Sequence, residues 1–148
     1  LKLDKKSNVY NPLTGARMSN PAKLNSTLPP GGVCCFTELP YTVETISVLV
    51  PDAVLAGSRL VAKITVAAKK AKAGDHLVTL DLVPNGLPPL RHYRRYVRCA
   101  GGQGETFIPL AQNEAMGVYT LRVRDALTGM TVEKTVRIAP NPGGGEHE

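Results

Sequence analysis

The chain has 148 residues, and its 18 Lys and Arg against 12 Asp and Glu give a formal net charge of +6. This length fits one domain of about 100–150 residues with a short extra segment. No run approaches the roughly 18 apolar residues of a membrane-spanning helix, and the opening at Leu1 shows no charged-then-apolar leader. We therefore expect no membrane span and no signal peptide, and interpret the sequence as a piece of a longer protein.

The three cysteines are Cys34, Cys35 and Cys99. Because the number is odd and two of them are adjacent, they do not form a disulfide framework. Small apolar Cys side chains are commonly interior, so the pattern favours buried thiols. The alternative, in an oxidising compartment, is one disulfide between Cys99 and either Cys34 or Cys35.

The first 40 residues are rich in Asn, Pro, Ser, Thr and Gly and show little periodicity. Residues 11–15 and 28–32 are typical turn sequences, and residues 22–28 between them predict a short edge strand. A short apolar strand over 34–39 ends at Pro40, which has no N–H to donate to a sheet. We interpret residues 1–40 as an irregular arm or the end of a preceding β-domain.

Regular alternation begins at Tyr41 and indicates strands with one buried face. The predicted strands are 43–50, 59–67, 76–83, 90–99, 105–111 and the two arms of a hairpin over 117–138. Gly129 ends the hairpin loop, where it is free to adopt a positive φ. The best core candidates are Ile64, Val66, Leu80, Tyr119, Leu121, Val136 and Ile138. The remaining residues, 141–148, form a Gly-rich tail that we expect to be disordered.

Seven short strands in about 100 residues, separated by turns, are typical of an immunoglobulin-like antiparallel β-sandwich. Two packed sheets would let each strand bury its apolar row against the other sheet. The Cys–Trp–Cys core of antibody domains is absent because the chain has no Trp. The sequence therefore predicts an all-β, immunoglobulin-like sandwich over residues 41–140.

The most basic stretch is residues 91–98, Arg-His-Tyr-Arg-Arg-Tyr-Val-Arg. One interpretation is a ligand-binding or adhesion surface for a carbohydrate, a polyanion or nucleic acid, in which Arg pairs with phosphate and Tyr stacks. The candidate ligand-binding residues are Arg91, Tyr93, Arg95, Tyr96 and Arg98. The alternative, which we favour, is a strand whose Arg side chains cover apolar surface and protect a sheet edge. Since no second basic run accompanies it, nucleic acid is the less favoured partner.

Other side chains give weaker signals of chemistry. His76, His92 and His147 share no metal-ligand spacing, so we predict no metal and no cofactor. Cys99 lacks the basic surroundings of a catalytic thiolate. We interpret the acids as ordinary solvated side chains on turns or outward strand positions: Asp75, Asp81, Glu105, Glu114, Asp125 and Glu133. No catalytic residue is predicted.

Exposed aromatic platforms, which many sugar sites use, are scarce in a chain with five Tyr, two Phe and no Trp. Tyr119 belongs to an inward row, and we expect Phe107 to pack near Ile108 and Leu110. The Tyr residues left as exposed candidates are Tyr10, Tyr41, Tyr93 and Tyr96.

Four phrases resemble the C-terminal region of large bacterial glycoside hydrolases of the β-galactosidase-like multidomain kind. Residues 9–15 are similar to the phrase Y-D-x-x-T-G that closes their penultimate β-domain, and residues 28–41 to the join L-x-P-G-x-A-x-L-F-x-L-L-P-Y. Residues 107–114 resemble I-P-L-A-x-N-D, and residues 117–125 resemble G-x-W-x-L-x-V-x-D. Tyr119 replaces Trp and Glu114 replaces Asp in these phrases.

The resemblance implies an accessory region, because the catalytic acids of such enzymes lie in an upstream barrel. It implies a non-catalytic, immunoglobulin-like module that packs on neighbouring domains of a secreted or periplasmic bacterial enzyme and helps to position polysaccharide. No catalytic residue is carried over to this sequence.

Overall fold

The computed structural model describes residues 7–18, 27–28 and 30–142. Most of the edge strand predicted over 22–28, and residues 143–148 of the predicted tail, lie outside the described residues.

The described residues form β-strands and a single 3-10 turn at Arg91–Tyr93. In chain order the strands are β1 (Asn8–Asn11), β2 (Ala16–Arg17), β3 (Thr37–Leu39), β4 (Val43–Leu49), β5 (Ala53–Leu55), β6 (Arg59–Ala68), β7 (His76–Pro84), β8 (Arg95–Cys99), β9 (Gln103–Pro109), β10 (Gly117–Asp125) and β11 (Thr131–Ala139). The predicted all-β fold is therefore confirmed.

Three sheets contain these strands, in the orders β2-β1-β3, β4-β6-β9 and β5-β11-β10-β7-β8. Neighbouring strands are antiparallel except β5, which runs parallel to β11. Buried side chains from the second and third sheets belong to one hydrophobic core, the arrangement of a β-sandwich. The immunoglobulin-like assignment stays a prediction.

The core follows the alternation predicted from the sequence. All seven core candidates are at most 3% exposed, because each lies on the inward row of its strand. Phe107 is an exception to the predicted packing. It is 45% exposed on the outward side of β9, and the Arg59 guanidinium lies 4.6 Å from its ring centroid.

Two strand predictions were wrong in detail. In the described part of the chain the two sheets of the sandwich contain eight strands, one more than predicted, since the three-residue β5 is too short to show alternation. The strand predicted over 90–99 begins only at Arg95. Before it, Tyr93 N–H donates to Leu90 O at 3.0 Å and closes the 3-10 turn.

The N-terminal segment packs on the sandwich. Tyr10 is buried in the common core, and its hydroxyl accepts the Val43 N–H at 2.9 Å. The Arg124 guanidinium donates to Pro12 O at 2.6 Å and to Leu13 O at 3.2 Å. The division of the chain near residue 40 stays a prediction.

Gly129 lies where this segment meets the β10–β11 loop. Its φ of +74° confirms the positive φ predicted for this position. A Cβ placed there would come within 2.4 Å of Pro12 O. The loop is thus packed against the N-terminal segment.

Candidate functional site

The candidate ligand residues of the basic stretch differ in how exposed they are. Tyr96 on β8 is 67% exposed. Tyr93, in contrast, is only 5% exposed, so its predicted exposure was wrong, as was that of Tyr10. The Tyr93 hydroxyl accepts the Ala111 N–H at 3.0 Å and donates to Glu114, which leaves this tyrosine with a structural role.

Acidic neighbours compensate two cations of the stretch. Arg94 pairs with Asp81 through two hydrogen bonds of 2.6 and 3.1 Å. Arg98 contacts Asp75 Oδ2 from both Nε and Nη2, at 3.0 and 2.5 Å. The Gly101 N–H and then the Arg98 guanidinium lower the pKa of Asp75, and the carboxylates raise the pKa of both arginines. Such pairing weakens the field that this stretch offers to an anion.

Arg95 uses its guanidinium within its own segment, where it donates to His92 O at 3.2 Å and Arg94 O at 2.9 Å. Arg91 lies on the exposed 3-10 turn. Ligand binding by this stretch stays a prediction, and Tyr96 is its accessible aromatic ring.

A polar network is buried in the core between β7 and β10. His76 Nδ1 lies 3.0 Å from Asp125 Oδ1, and neither side chain is accessible to solvent. The other ring nitrogen of His76 lies 3.1 Å from the Tyr41 hydroxyl, which accepts the Gly74 N–H at 2.8 Å. The second carboxylate oxygen of Asp125 accepts the N–H and hydroxyl of Thr128, at 3.0 and 2.6 Å.

One assignment satisfies every polar atom of this network: Tyr41 donates to Nε2 of His76, and Nδ1–H donates to Asp125. Burial opposes ionisation of Asp125, but the hydrogen bonds from His76 and Thr128 outweigh it and lower its pKa. The arrangement orients a histidine as a catalytic triad would. However, its outer member is a tyrosine held by the Gly74 backbone.

The interpretation of Asp125 as a solvated acid was therefore wrong. The sequence contained a signal that could have found the pair. His76 continues the inward row of Val78 and Leu80, and Asp125 continues that of Leu121 and Val123. Both rows end on a polar residue of the same inward face, so each needs a buried partner.

A second polar site lies at the end of the sandwich where β9 connects to β10. Glu114 accepts hydrogen bonds from the Tyr93 hydroxyl and, at 3.0 Å, from the Tyr119 hydroxyl. The Tyr119 hydroxyl also lies 2.8 Å from Ala115 O. Burial first, and then Glu114, raise the pKa of Tyr119 to about 12 and also raise that of Tyr93. Both phenols thus remain protonated donors to this carboxylate.

Glu114 borders an open cleft of about 360 Å³. We call it the end cleft; it is lined by Ala56, Gln112, Asn113, Glu114, Met116, Pro140 and Asn141. Sequence patterns did not indicate it, because its residues come from the β5–β6 turn, the β9–β10 connection and the residues after β11, which are far apart in sequence.

Buried Cys99 fits a structural role, and burial raises the pKa of its thiol. Cys34 is half-buried and Cys35 is exposed, so predicted burial was wrong for Cys35. In the described part of the chain, no three His, Cys, Asp or Glu side chains are grouped to hold a metal ion. No helix among the described residues is long and apolar enough to cross a membrane.

Comparison with known proteins gave structural neighbours only. Neither a protein-family profile nor a curated protein sequence matches this chain. Among solved structures, the chain is similar to the β-glucosidase from Listeria innocua, both alone (13% identity, TM-score 0.45) and in complex with isofagomine (12%, TM-score 0.45). A point mutant of that enzyme with laminaribiose gives 15% identity and a TM-score of 0.43.

The similarity to these enzyme structures covers 64–66% of this chain. The matched part spans 16% of the length of each β-glucosidase chain.

Proposed function

We propose that this chain is a non-catalytic accessory β-sandwich of a bacterial carbohydrate-active enzyme, and that it packs on a neighbouring domain of the parent protein. The four phrases that resemble glycoside hydrolase accessory regions support the kind of parent. The observation that carries the packing role is an apolar strip on the outward face of the β4-β6-β9 sheet.

The apolar strip consists of Leu49, Pro51, Val61 and Phe107. Val61 lies directly opposite Phe107 in the register of β6 and β9. Leu49, Pro51 and Val61 line one shallow groove of about 320 Å³. The exposed fractions of Leu49, Val61 and Phe107 are 71%, 39% and 45%. Contiguous exposed apolar surface of this kind marks interaction sites more often than single exposed side chains do.

Charged residues border the strip. Arg59 lies over the Phe107 ring, and Lys63 forms an exposed pair of 3.7 Å with Glu105. An apolar centre with a polar rim is the anatomy of a protein interface. The occupant that we propose is therefore a protein domain of the same chain.

The non-catalytic role rests on how the polar groups are used. The buried histidine and aspartate satisfy each other, and the half-buried Asp81 on β7 and the exposed Glu133 on β11 pair with arginines. Polar groups that pair with one another in this way stabilise the fold, which is the role expected of an accessory module.

Phe107→Ser tests the proposal when it is measured in two contexts. In the isolated chain we expect little change in melting temperature, because Phe107 is 45% exposed and a surface arginine lies over its ring. In the parent protein, the same substitution should remove buried apolar area and lower the melting temperature of this module by several degrees.

Val118→Ser is the matched control, since Val118 is 49% exposed on the outward face of the other sheet. It should leave both proteins unchanged. Equal effects of Phe107→Ser in the two contexts would contradict the packing role.

A further inference from the structure

We propose that the end cleft binds a small neutral polyhydroxylated ligand, of the monosaccharide class, through the side chains of Gln112, Asn113 and Glu114. This inference goes beyond the packing role and does not depend on it, because the apolar strip and the end cleft share no residue.

Backbone hydrogen bonds tie together the two connections and the residues after β11 that form the cleft. The Ala56 N–H donates to Ala139 O and the Gly57 N–H donates to Ala111 O, both at 2.9 Å. These bonds join the β5–β6 turn to the end of β11 and to the β9–β10 connection. The Ala111 N–H in turn donates to the Tyr93 hydroxyl at 3.0 Å. A site whose walls are tied in this way loses little conformational entropy when a ligand binds.

Glu114 is held in a defined orientation. Its Oε2 accepts the Tyr93 hydroxyl, and its Oε1 lies 3.0 Å from the Tyr119 hydroxyl, whose single proton is shared with Ala115 O at 2.8 Å. An ionised carboxylate has about four acceptor positions, so each oxygen can still accept a hydrogen bond from a ligand hydroxyl. A lining with one carboxylate offers fewer charged oxygen ligands than a calcium ion usually takes, which leaves the site better suited to neutral donors.

The other lining groups fit the same ligand. Amide side chains both donate and accept, as hydroxyl groups do, and Gln112 and Asn113 are exposed at the rim. Met116, which is 66% exposed, and Pro140 supply apolar surface for the C–H face of a sugar ring. A cleft of about 360 Å³ lies near the lower end of the range for small-molecule sites.

The proposal is tested by titrating the ¹⁵N-labelled full chain with D-glucose and D-galactose and following backbone amide shifts. We expect saturable shifts with at least one of the two sugars, confined to Ala56, residues 111–116 and Asn141. Concentrations on the order of 100 mM would reveal even a millimolar dissociation constant.

Asn113→Ala and Gln112→Ala should each weaken the binding by roughly threefold to tenfold, the loss expected for one hydrogen bond. Both residues are exposed, so the melting temperature should be unchanged. Tyr96→Ala, on the basic stretch, is the matched control and should bind like the unaltered chain.

Three results would overturn the proposal: no saturable shift with either sugar, shifts centred on residues 91–98, or binding that both amide variants retain in full. Calcium chloride is titrated in parallel. Saturable shifts of the same amides with calcium alone would identify the cleft as a cation site and would equally overturn the proposal. None of these outcomes changes the expectation for Phe107→Ser, so the two proposals fail separately.

Discussion

At the scale of single residues, Asp125 and His76 show how this fold accommodates polar groups in its core. Both side chains are fully buried, and Tyr41 and Thr128 complete their hydrogen bonds. A buried polar group costs free energy when it is unsatisfied, so the pair stabilises the fold only as a unit. Removal of one member should therefore be more costly than removal of an exposed ion pair.

Asp125→Asn should destabilise the chain by about 2–4 kcal/mol at pH 7, because the variant loses the charge-assisted bonds to His76 and Thr128. Urea unfolding measures the effect. Glu133→Gln is the control, since Glu133 forms an exposed pair with Arg122 and such pairs contribute about 0–1 kcal/mol.

The stability difference between the unaltered chain and Asp125→Asn should also depend on pH. The pKa of Asp125 is lowered in the folded chain, so its ionised form stabilises the fold above the unfolded pKa of about 3.9. That stabilisation is lost as the pH falls through the folded pKa. The stability difference between the unaltered chain and Asp125→Asn should shrink below about pH 4. A difference that stays constant down to pH 3 would contradict an ionised, stabilised Asp125.

At the scale of elements, the loop between β10 and β11 is fitted to the N-terminal segment. Gly129→Ala should destabilise the chain by about 2–4 kcal/mol, since it combines a positive φ with a close approach to Pro12 O. Gly86→Ala is the matched control. Gly86 has the same φ of +74° but nothing within 4 Å of its Cβ position, so only the backbone cost of about 1 kcal/mol should remain.

Thermal unfolding of the two variants compares these costs. A larger loss for Gly129→Ala shows that the N-terminal segment contributes to the fold through this contact. Equal losses of stability would show that Pro12 and its neighbours move to accommodate the added methyl group at no cost in free energy.

The elements also show which parts of the structure the sequence could predict. Long strands such as β6, β7 and β10 alternate over seven or more residues, so their bounds and inward rows follow from periodicity alone. Strand β5 and the 3-10 turn at Arg91–Tyr93 each span three residues, and the tertiary contacts rather than the local pattern fix them. The end cleft was missed for a related reason, because Ala56, the 112–116 connection and residues 140–141 come together only in the folded chain.

At the scale of the whole molecule, one core joins the two sheets of the sandwich, and Leu121 lies fully buried within it. Leu121→Asp should unfold the chain. The free-energy cost of an unpaired charge in the core is comparable to the whole free energy of unfolding of a typical domain, about 5–15 kcal/mol. Circular dichroism would then show no cooperative melt. Thr120→Asp, one residue away on the outward row, should melt like the unaltered chain, and an unchanged melting temperature for Leu121→Asp would contradict the core assignment.

The role proposed for the whole molecule requires a neighbouring domain to cover the apolar strip. Hydroxyl-radical footprinting, which reports side-chain exposure by oxidation, tests this directly on the isolated chain and on the parent protein. We predict that Leu49 and Phe107 are oxidised several-fold less in the parent, while Tyr96 and Leu87, exposed elsewhere on the surface, are oxidised equally in both. Equal oxidation of Leu49 and Phe107 in the two proteins would contradict the proposal that this face packs on a neighbouring domain.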